Sequence, residues 1–314
     1  MVQVAPDLPI TDNCHHYTRL EDVPWDIHKY WKNRFKIFPN YNDGIFLTDD
    51  AWFGVTPEPV ARKIAEDMPL PVFPDDSFRG TDYGAAAPAT TIVDMFAGAG
   101  GNTIAFALWG YFDRIISIER DADTLACAQE NARISGVAEG VITWVLGDCF
   151  EVLKELLGGR MAGDRIGDTT ALTDVDIDIP IDGAVESLDP HNTVLFASPP
   201  WGGVSYTSQA VFDLSTMEPY NLQALHDACY PLPHALYLPR TSDLQQLADV
   251  FPKRKAADVK GDGPADGENP PPEPKLDVVQ YCMHGFSKAL VAYYPADEEA
   301  LRRLVQTQEK KLLE

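Results

Sequence analysis

Two sets of residues in this chain have types and spacings that could do chemistry. The first is Ser198, Pro199, Pro200, Trp201, Gly202 and Gly203, which follow the apolar run 194–197. Such a run reads as a buried strand, and two prolines and two glycines end its pairing abruptly. The ends of strands are where open α/β sheets bind ligands. An indole on a rigid loop offers a flat stacking surface there, and the prolines expose carbonyl oxygens that no neighbouring strand claims. These parts suit a planar base whose amino group donates a hydrogen bond. The second set is Asp94, Glu119 and Asp148, each at the end of a short apolar run, at 91–95, 114–118 and 141–146. One such acid alone reads as a helix N-cap. Three at corresponding strand ends favour a cationic, amine-bearing nucleoside ligand.

The segment after Asp94, FAGAGGN (96–102), carries three glycines that permit positive φ and close approach of a ligand to the backbone. Its spacing is not GxGxxG, so the pyrophosphate cradle of a dinucleotide site is missing. Glu119 is placed to accept bonds from the two hydroxyls of a ribose. S-adenosylmethionine, with its sulfonium, ammonium, ribose diol and adenine amine, fits this set; NAD would ask for phosphate donors.

The elements that must position these groups follow from periodicity. Strand 91–95, glycine turn, helix 103–109, strand 114–118, helix 122–134 and strand 141–146 make a βαβαβ array. Before it, Ile27, Tyr30, Trp31, Arg34, Phe35 and Phe38 are spaced as one helix face, interleaved with Lys29, Lys32, Arg34 and Lys36. A second helix is expected from Pro57 with Thr56 as N-cap. Residues 1–14 read as a flexible tail, 15–68 as a small N-terminal helical subdomain, 69–88 as a Pro/Gly/Asp linker and 89–314 as the main domain. The main domain carries loop insertions at about 158–192 and 252–275. The first has eight acids against two arginines, which reads as a solvated loop ahead of a partner-binding strand. Helices are expected at 220–230, 241–250 and 296–313, a strand at 235–238, and a hairpin of 276–284 and 286–294 turning at Gly285.

Bulk composition excludes several classes. A net charge of −23 argues against a protein that coats nucleic acid, so any RNA must be gripped locally. Five dispersed cysteines without a CxxC pair suggest neither a disulfide framework nor a zinc site. His15 and His16 read as part of a solvated terminal loop. A secretory signal is not evident, and the apolar stretch 91–112 is broken by Asp94 and glycines, against a membrane span.

The strings KYWKNRFKIF, DDAWFGVTPE, DMFAGAGGNTIAFAL, SPPWGG and LPR together resemble the trimethylguanosine synthase family of RNA cap guanosine-N2 methyltransferases. SPPW alone is shared with amino-group methyltransferases acting on adenine; the KYW and WFGVTPE elements make the combination specific. The resemblance implies a Rossmann-like class I methyltransferase fold, with a seven-stranded mostly parallel sheet whose last strand is antiparallel. It implies that Thr56, Asp94, Gly98, Gly100, Asn102, Thr103, Glu119, Asp148, Cys149 and Ser198 hold S-adenosyl-L-methionine. It further implies that Trp201 stacks on 7-methylguanine, that Ser198 and Pro199 orient its N2, that Lys29, Tyr206 and Arg240 meet the cap phosphates, and that Phe38 shapes the pocket. Ser198, Pro199 and Trp201 are the expected catalytic set, with no metal. The implied substrate is 7-methylguanosine-capped small nuclear and nucleolar RNA, in the nucleus (with nucleolar and cytoplasmic pools), and the protein is expected to act as a monomer that ribonucleoprotein proteins could meet. Two other readings stand beside it: an amino-group methyltransferase acting on an internal adenine or guanine, and an idle cap-binding scaffold. The complete set of Asp94, Glu119, Asp148 and the glycine turn speaks against the scaffold.

Overall fold

Runs rich in β-branched and aromatic residues pair into one seven-stranded sheet flanked by helices. The structure is a computed structural model that describes residues 2–69, 91–158, 183–202, 209–251 and 275–312. In chain order its elements are α1 (His28–Trp31), α2 (Arg34–Ile37), α3 (Ala51–Gly54), α4 (Glu58–Asp67), β1 (Thr91–Asp94), α5 (Gly101–Trp109), β2 (Arg114–Glu119), α6 (Ala122–Ile134), β3 (Ile142–Leu146) and α7 (Cys149–Leu156). There follow β4 (Thr193–Ala197), α8 (Leu222–Cys229), β5 (His234–Pro239), α9 (Leu244–Val250), β6 (Asp277–Met283), β7 (Phe286–Tyr294) and α10 (Glu298–Leu312).

The strand order is β3-β2-β1-β4-β5-β7-β6. Strands β1 to β5 run parallel, and β7 is antiparallel to both β5 and β6. This is the expected Rossmann-like methyltransferase sheet. The β6–β7 turn places His284 and Gly285 at φ of 52° and 79°, the left-handed pair that a tight hairpin demands.

Alternating strand residues feed two cores. Ile92 and Ile115 pack with α4, α5 and the N-terminal unit. Val93 and Ile116 pack with α7, α8 and Leu301 on the other face. Burial on both faces explains why these strands read as apolar runs without alternation. The N-terminal unit has no core of its own: Tyr41, Trp52, Ile64 and Met68 join the same cluster as Ile92 and Phe106.

Four local expectations are corrected. The single helix over 27–38 is two short helices, because Asn33 adopts φ −105° and ψ 12°. Its side-chain amide donates to the Lys29 carbonyl at 2.9 Å, competing with the backbone ladder. Thr56 does not cap α4; Pro57 occupies the N-cap position with no side-chain cap bond. Residues 2–14 are laid along the main domain: Gln3 bridges Ala184, Ala5 N–H donates to Trp144 O at 2.8 Å, and Thr11 Oγ1 donates to Asp123 at 2.7 Å. The tail thus finds backbone partners that an unpaired segment would lack. His15 and His16 are half-buried, with His15 bridged to Leu47 and His16 stacked on Tyr41 at 5.0 Å. Residues 159–182 and 252–274 of the two insertions, and 70–88 of the linker, lie outside the described residues. No helix among the described residues is long and apolar enough to cross a membrane.

Candidate active site

A cavity of about 700 Å³ opens at the carboxyl ends of the parallel strands. Its floor comes from the glycine turn and the ends of β2, β3 and β4, and its rim from Tyr30, Phe53, Val55 and Thr56 of the N-terminal unit. The strand order reverses beside β1, with β2 on one side and β4 on the other, which makes this the switch point where such sheets bind ligands.

The glycine turn is held from both sides. Asn131 of α6, wholly buried, donates to Ala99 O at 3.0 Å and exchanges two bonds of 2.8 Å with the Phe46 backbone. A Cβ on Gly101 would sit 3.3 Å from Thr56 O, so the loop before α4 can close on the turn only because that side chain is absent. Gly100, with φ of 92°, is the N-cap of α5 and lies behind the lining, whereas Gly98 lines the cavity.

Each of the three acids is anchored before any ligand arrives. Asp94 is fully buried; it accepts from Thr103 Oγ1 at 2.6 Å and from Phe96 N–H at 3.3 Å, and burial pushes its carboxyl up to about 6. Asp94 and Thr103 are therefore behind the cavity wall rather than on it. Thr103 also meets Ser117 Oγ at 2.6 Å, tying β1, β2 and α5 together. Glu119 lines the cavity and accepts from the N–H groups of Gly98, Arg120 and Asp121 at 2.9, 2.9 and 3.0 Å. Burial raises its carboxyl too. Those bonds hold both oxygens in place while leaving further lone pairs, the disposition a ribose diol needs. Asp148 caps α7 through Phe150 and Glu151 N–H, and its other oxygen accepts from the Tyr220 hydroxyl. Cys149 follows on the lining, its thiol pushed up by burial.

Asn102 tests whether the residues suit S-adenosylmethionine. Its Nδ2 donates to Thr56 Oγ1 at 3.0 Å, while Oδ1 is buried without a partner among the described residues. An orphan buried acceptor costs free energy unless a ligand satisfies it. Asn102 lines the cavity, and an ammonium group is the donor this acceptor lacks. The Thr56 hydroxyl missing from the α4 cap is spent on orienting that amide.

On the β4 side, Ser198, Pro199, Pro200 and Trp201 all line the cavity. The indole is backed by Tyr237, with ring centroids 5.7 Å apart and planes 20° from parallel, and Nε1 donates to Tyr237 O at 3.3 Å. Strand β5 thereby sets the plane of the stacking surface. Other expected site residues are placed elsewhere. Phe38 is 4 % exposed and belongs to the core. Lys29 and Arg240 are exposed outside the lining, and Tyr206 lies outside the described residues.

Sequence reasoning missed Tyr220, Tyr30, Phe53 and Asn131. Tyr220 sits between Phe150 and Phe96, with centroids at 4.2 and 6.1 Å, and closes the cavity beside Asp148. Its place just ahead of α8, 72 positions from Asp148, gave no local signal. Tyr30 and Phe53 meet edge-on at 5.2 Å on the rim; Tyr30 was read only as part of a helix face, and Phe53 was given no role.

Comparisons with known proteins identify the family. A family model described as RNA cap guanine-N2 methyltransferase matches residues 89–297. The trimethylguanosine synthase of Schizosaccharomyces pombe is 32% identical over 228 residues, 72% of this chain and 76% of that one. That of Saccharomyces cerevisiae is 29% identical over 287 residues, 88% and 72% of the two chains. Among solved structures, a methyltransferase from Porphyromonas gingivalis W83 aligns with TM-score 0.47 and 15% identity, covering 88% of this chain and 52% of that one. With the family model spanning the glycine turn, all three anchored acids and the Trp201 loop, the chain belongs to the RNA cap guanine-N2 methyltransferase family.

Proposed function

We propose that this enzyme methylates the exocyclic N2 of 7-methylguanosine at RNA 5′ caps, giving 2,2,7-trimethylguanosine, and that its substrates are small nuclear and nucleolar RNAs in the nucleus. The observation that carries the reading is the Trp201 indole, fixed on the cavity wall by Tyr237 next to Ser198 and Pro199. A 7-methylguanine is a delocalised cation, and an indole face attracts it by about 0.5–2 kcal/mol beyond stacking area. The methyl donor is S-adenosylmethionine, which when bound supplies an electrophilic methyl group on a positively charged sulfur.

The chain's own residues do the rest. Asn102 Oδ1 holds the donor's ammonium, Glu119 its ribose and Asp148 with Tyr220 its adenine edge. Trp201 sets the plane of the guanine, and Ser198 Oγ with the Pro199 carbonyl accepts from the N2 amino group. That leaves the amine lone pair directed at the cavity, where alignment can supply much of the roughly 7–11 kcal/mol available to orientation. The N2 proton leaves after transfer, so no strong base is required, and no histidine is assigned one. Lys29, Tyr206 and Arg240 are proposed to meet the cap phosphates.

The test is turnover with labelled S-adenosylmethionine. The reading expects label on 7-methyl-GTP and at least about tenfold less on GTP, which lacks the cationic ring. Equal labelling of the two would refute it. An internal adenine as substrate is disfavoured by the same wall, because a neutral base gains nothing from the cation–π term.

A further inference from the structure

In a chain of net charge −23, the segment 27–42 holds four cations, Lys29, Lys32, Arg34 and Lys36, and no acid. Five cations elsewhere are matched to carboxylates one turn away: Arg19 with Asp22 at 2.9 Å, Arg62 with Glu58 at 3.6 Å, Lys63 with Asp67 at 2.9 Å, Arg133 with Glu130 and Arg303 with Glu299. Among the described residues none of the four cations of this segment has a carboxylate within ion-pair distance.

Their arrangement is directional. Ile27, Trp31, Ile37 and Phe38 are buried, while Lys29, Lys32 and Lys36 are exposed along the same short segment. Trp25, 84 % exposed, and Phe35, 44 % exposed, stand among them. Arg34 lies over the Trp31 and Phe35 rings at 3.8 and 4.4 Å, fixing the segment against its own aromatics. One end of the face meets the active site: Tyr30 lines the cavity, and Lys29 Nζ is 5.3 Å from its ring centroid.

We propose that this face, chiefly Lys32, Lys36 and Trp25, is a track for the single-stranded RNA that follows the cap. It rests on the cap reading above. Unpaired cations that follow a backbone, with exposed aromatic rings on which bases stack, are the components of sequence-tolerant single-strand binding. The net charge of the chain disfavours RNA binding at large, so one local track would both raise affinity for capped RNA over free cap nucleotide and fix the direction in which the strand leaves the cavity.

The experiment measures binding of a fluorescein-labelled single-stranded RNA of about 20 nucleotides carrying a 7-methylguanosine cap, by anisotropy with the full chain, and of 7-methyl-GTP by competition. The wild-type protein is expected to bind the RNA at least about tenfold tighter at low salt. K32E/K36E should lose about tenfold for the RNA and stay within about twofold for 7-methyl-GTP. Its slope of log affinity against log salt should fall by about 1.4, near 0.7 for each phosphate contact removed. Trp25→Ala should lose about fivefold for the RNA alone. R302E/R303E makes the same charge change on α10, which packs through Leu301 into the opposite core, and should leave RNA affinity unchanged. Equal binding of RNA and 7-methyl-GTP by the wild type, an equal loss in both double variants, or displacement of the RNA by polyglutamate at matched charge would overturn the track. If RNA binding follows the predicted pattern while 7-methyl-GTP is not methylated, the track stands and the cap-methylation reading fails.

Discussion

The two walls of the cavity are built on different principles. On the β1–β3 side the three carboxylates are already engaged: Asp94 with Thr103 and Phe96, Glu119 with three backbone N–H groups, Asp148 with the α7 N-terminus and Tyr220. On the β4 side two successive prolines supply no N–H at all, and the shape of the wall rests on one indole backed by Tyr237. A wall of networked carboxylates recognises polar groups at fixed points, which suits a cofactor. A wall of carbonyls and aromatic faces recognises a plane and its charge, which suits a base. Changes on one side should therefore separate from changes on the other.

The largest separation is expected from Trp201→Ala. Loss of stacking area and of the cation–π term, each on the order of 2 kcal/mol, should cut kcat/KM for 7-methyl-GTP by at least about 100-fold. Calorimetric affinity for S-adenosylhomocysteine should stay within about threefold, and a parallel loss in both would erase the distinction between the walls. Asn102→Ala should act the opposite way. Removing an acceptor to a charged donor costs about 1.5–3 kcal/mol, so S-adenosylhomocysteine affinity should fall at least about tenfold with 7-methyl-GTP affinity little changed. Tyr220→Phe keeps the ring against Phe150 and deletes only the bond to Asp148, for a loss of about fivefold in the same titration.

The smallest effect is a pH dependence. Asp94 is raised from 3.8 to about 6 by burial, so between those values the native state binds the extra proton. Its contribution to stability is thus present in acid and lost as pH rises through about 6. Asp94→Asn removes that titration, while Glu119, shifted the same way, and His226 and His234, shifted downward by burial, act equally in both proteins. Melting curves should show the variant gaining a few degrees on the wild type from pH 4 to pH 7. A constant offset would mean that Asp94 is charged throughout.

The strand ends were legible because burial on both faces writes a parallel strand as an apolar run closed by an acid or a turn. Asp94, Glu119, Asp148 and the Ser198–Trp201 loop were all found that way. The partners were not legible, because they are set by tertiary packing: nothing near Tyr220 points to Asp148, and nothing near Asn131 points to Phe46 and Ala99. The long helix over 27–38 failed at one residue, Asn33, whose side chain prefers the Lys29 carbonyl to the helix ladder. Phe38 was read as a pocket residue from the resemblance, yet the same apolar spacing that suggested a helix places it in the core. Thr56 was read as a cap, and the structure turns its hydroxyl to Asn102 instead.

One measurement tests the central claim most directly. A 7-methylguanosine-capped RNA containing all four bases is incubated with the enzyme and labelled S-adenosylmethionine, digested to nucleosides and resolved. The account predicts that the label appears in N2-methylated 7-methylguanosine alone. Label in N6-methyladenosine or in an internal methylguanosine would contradict it.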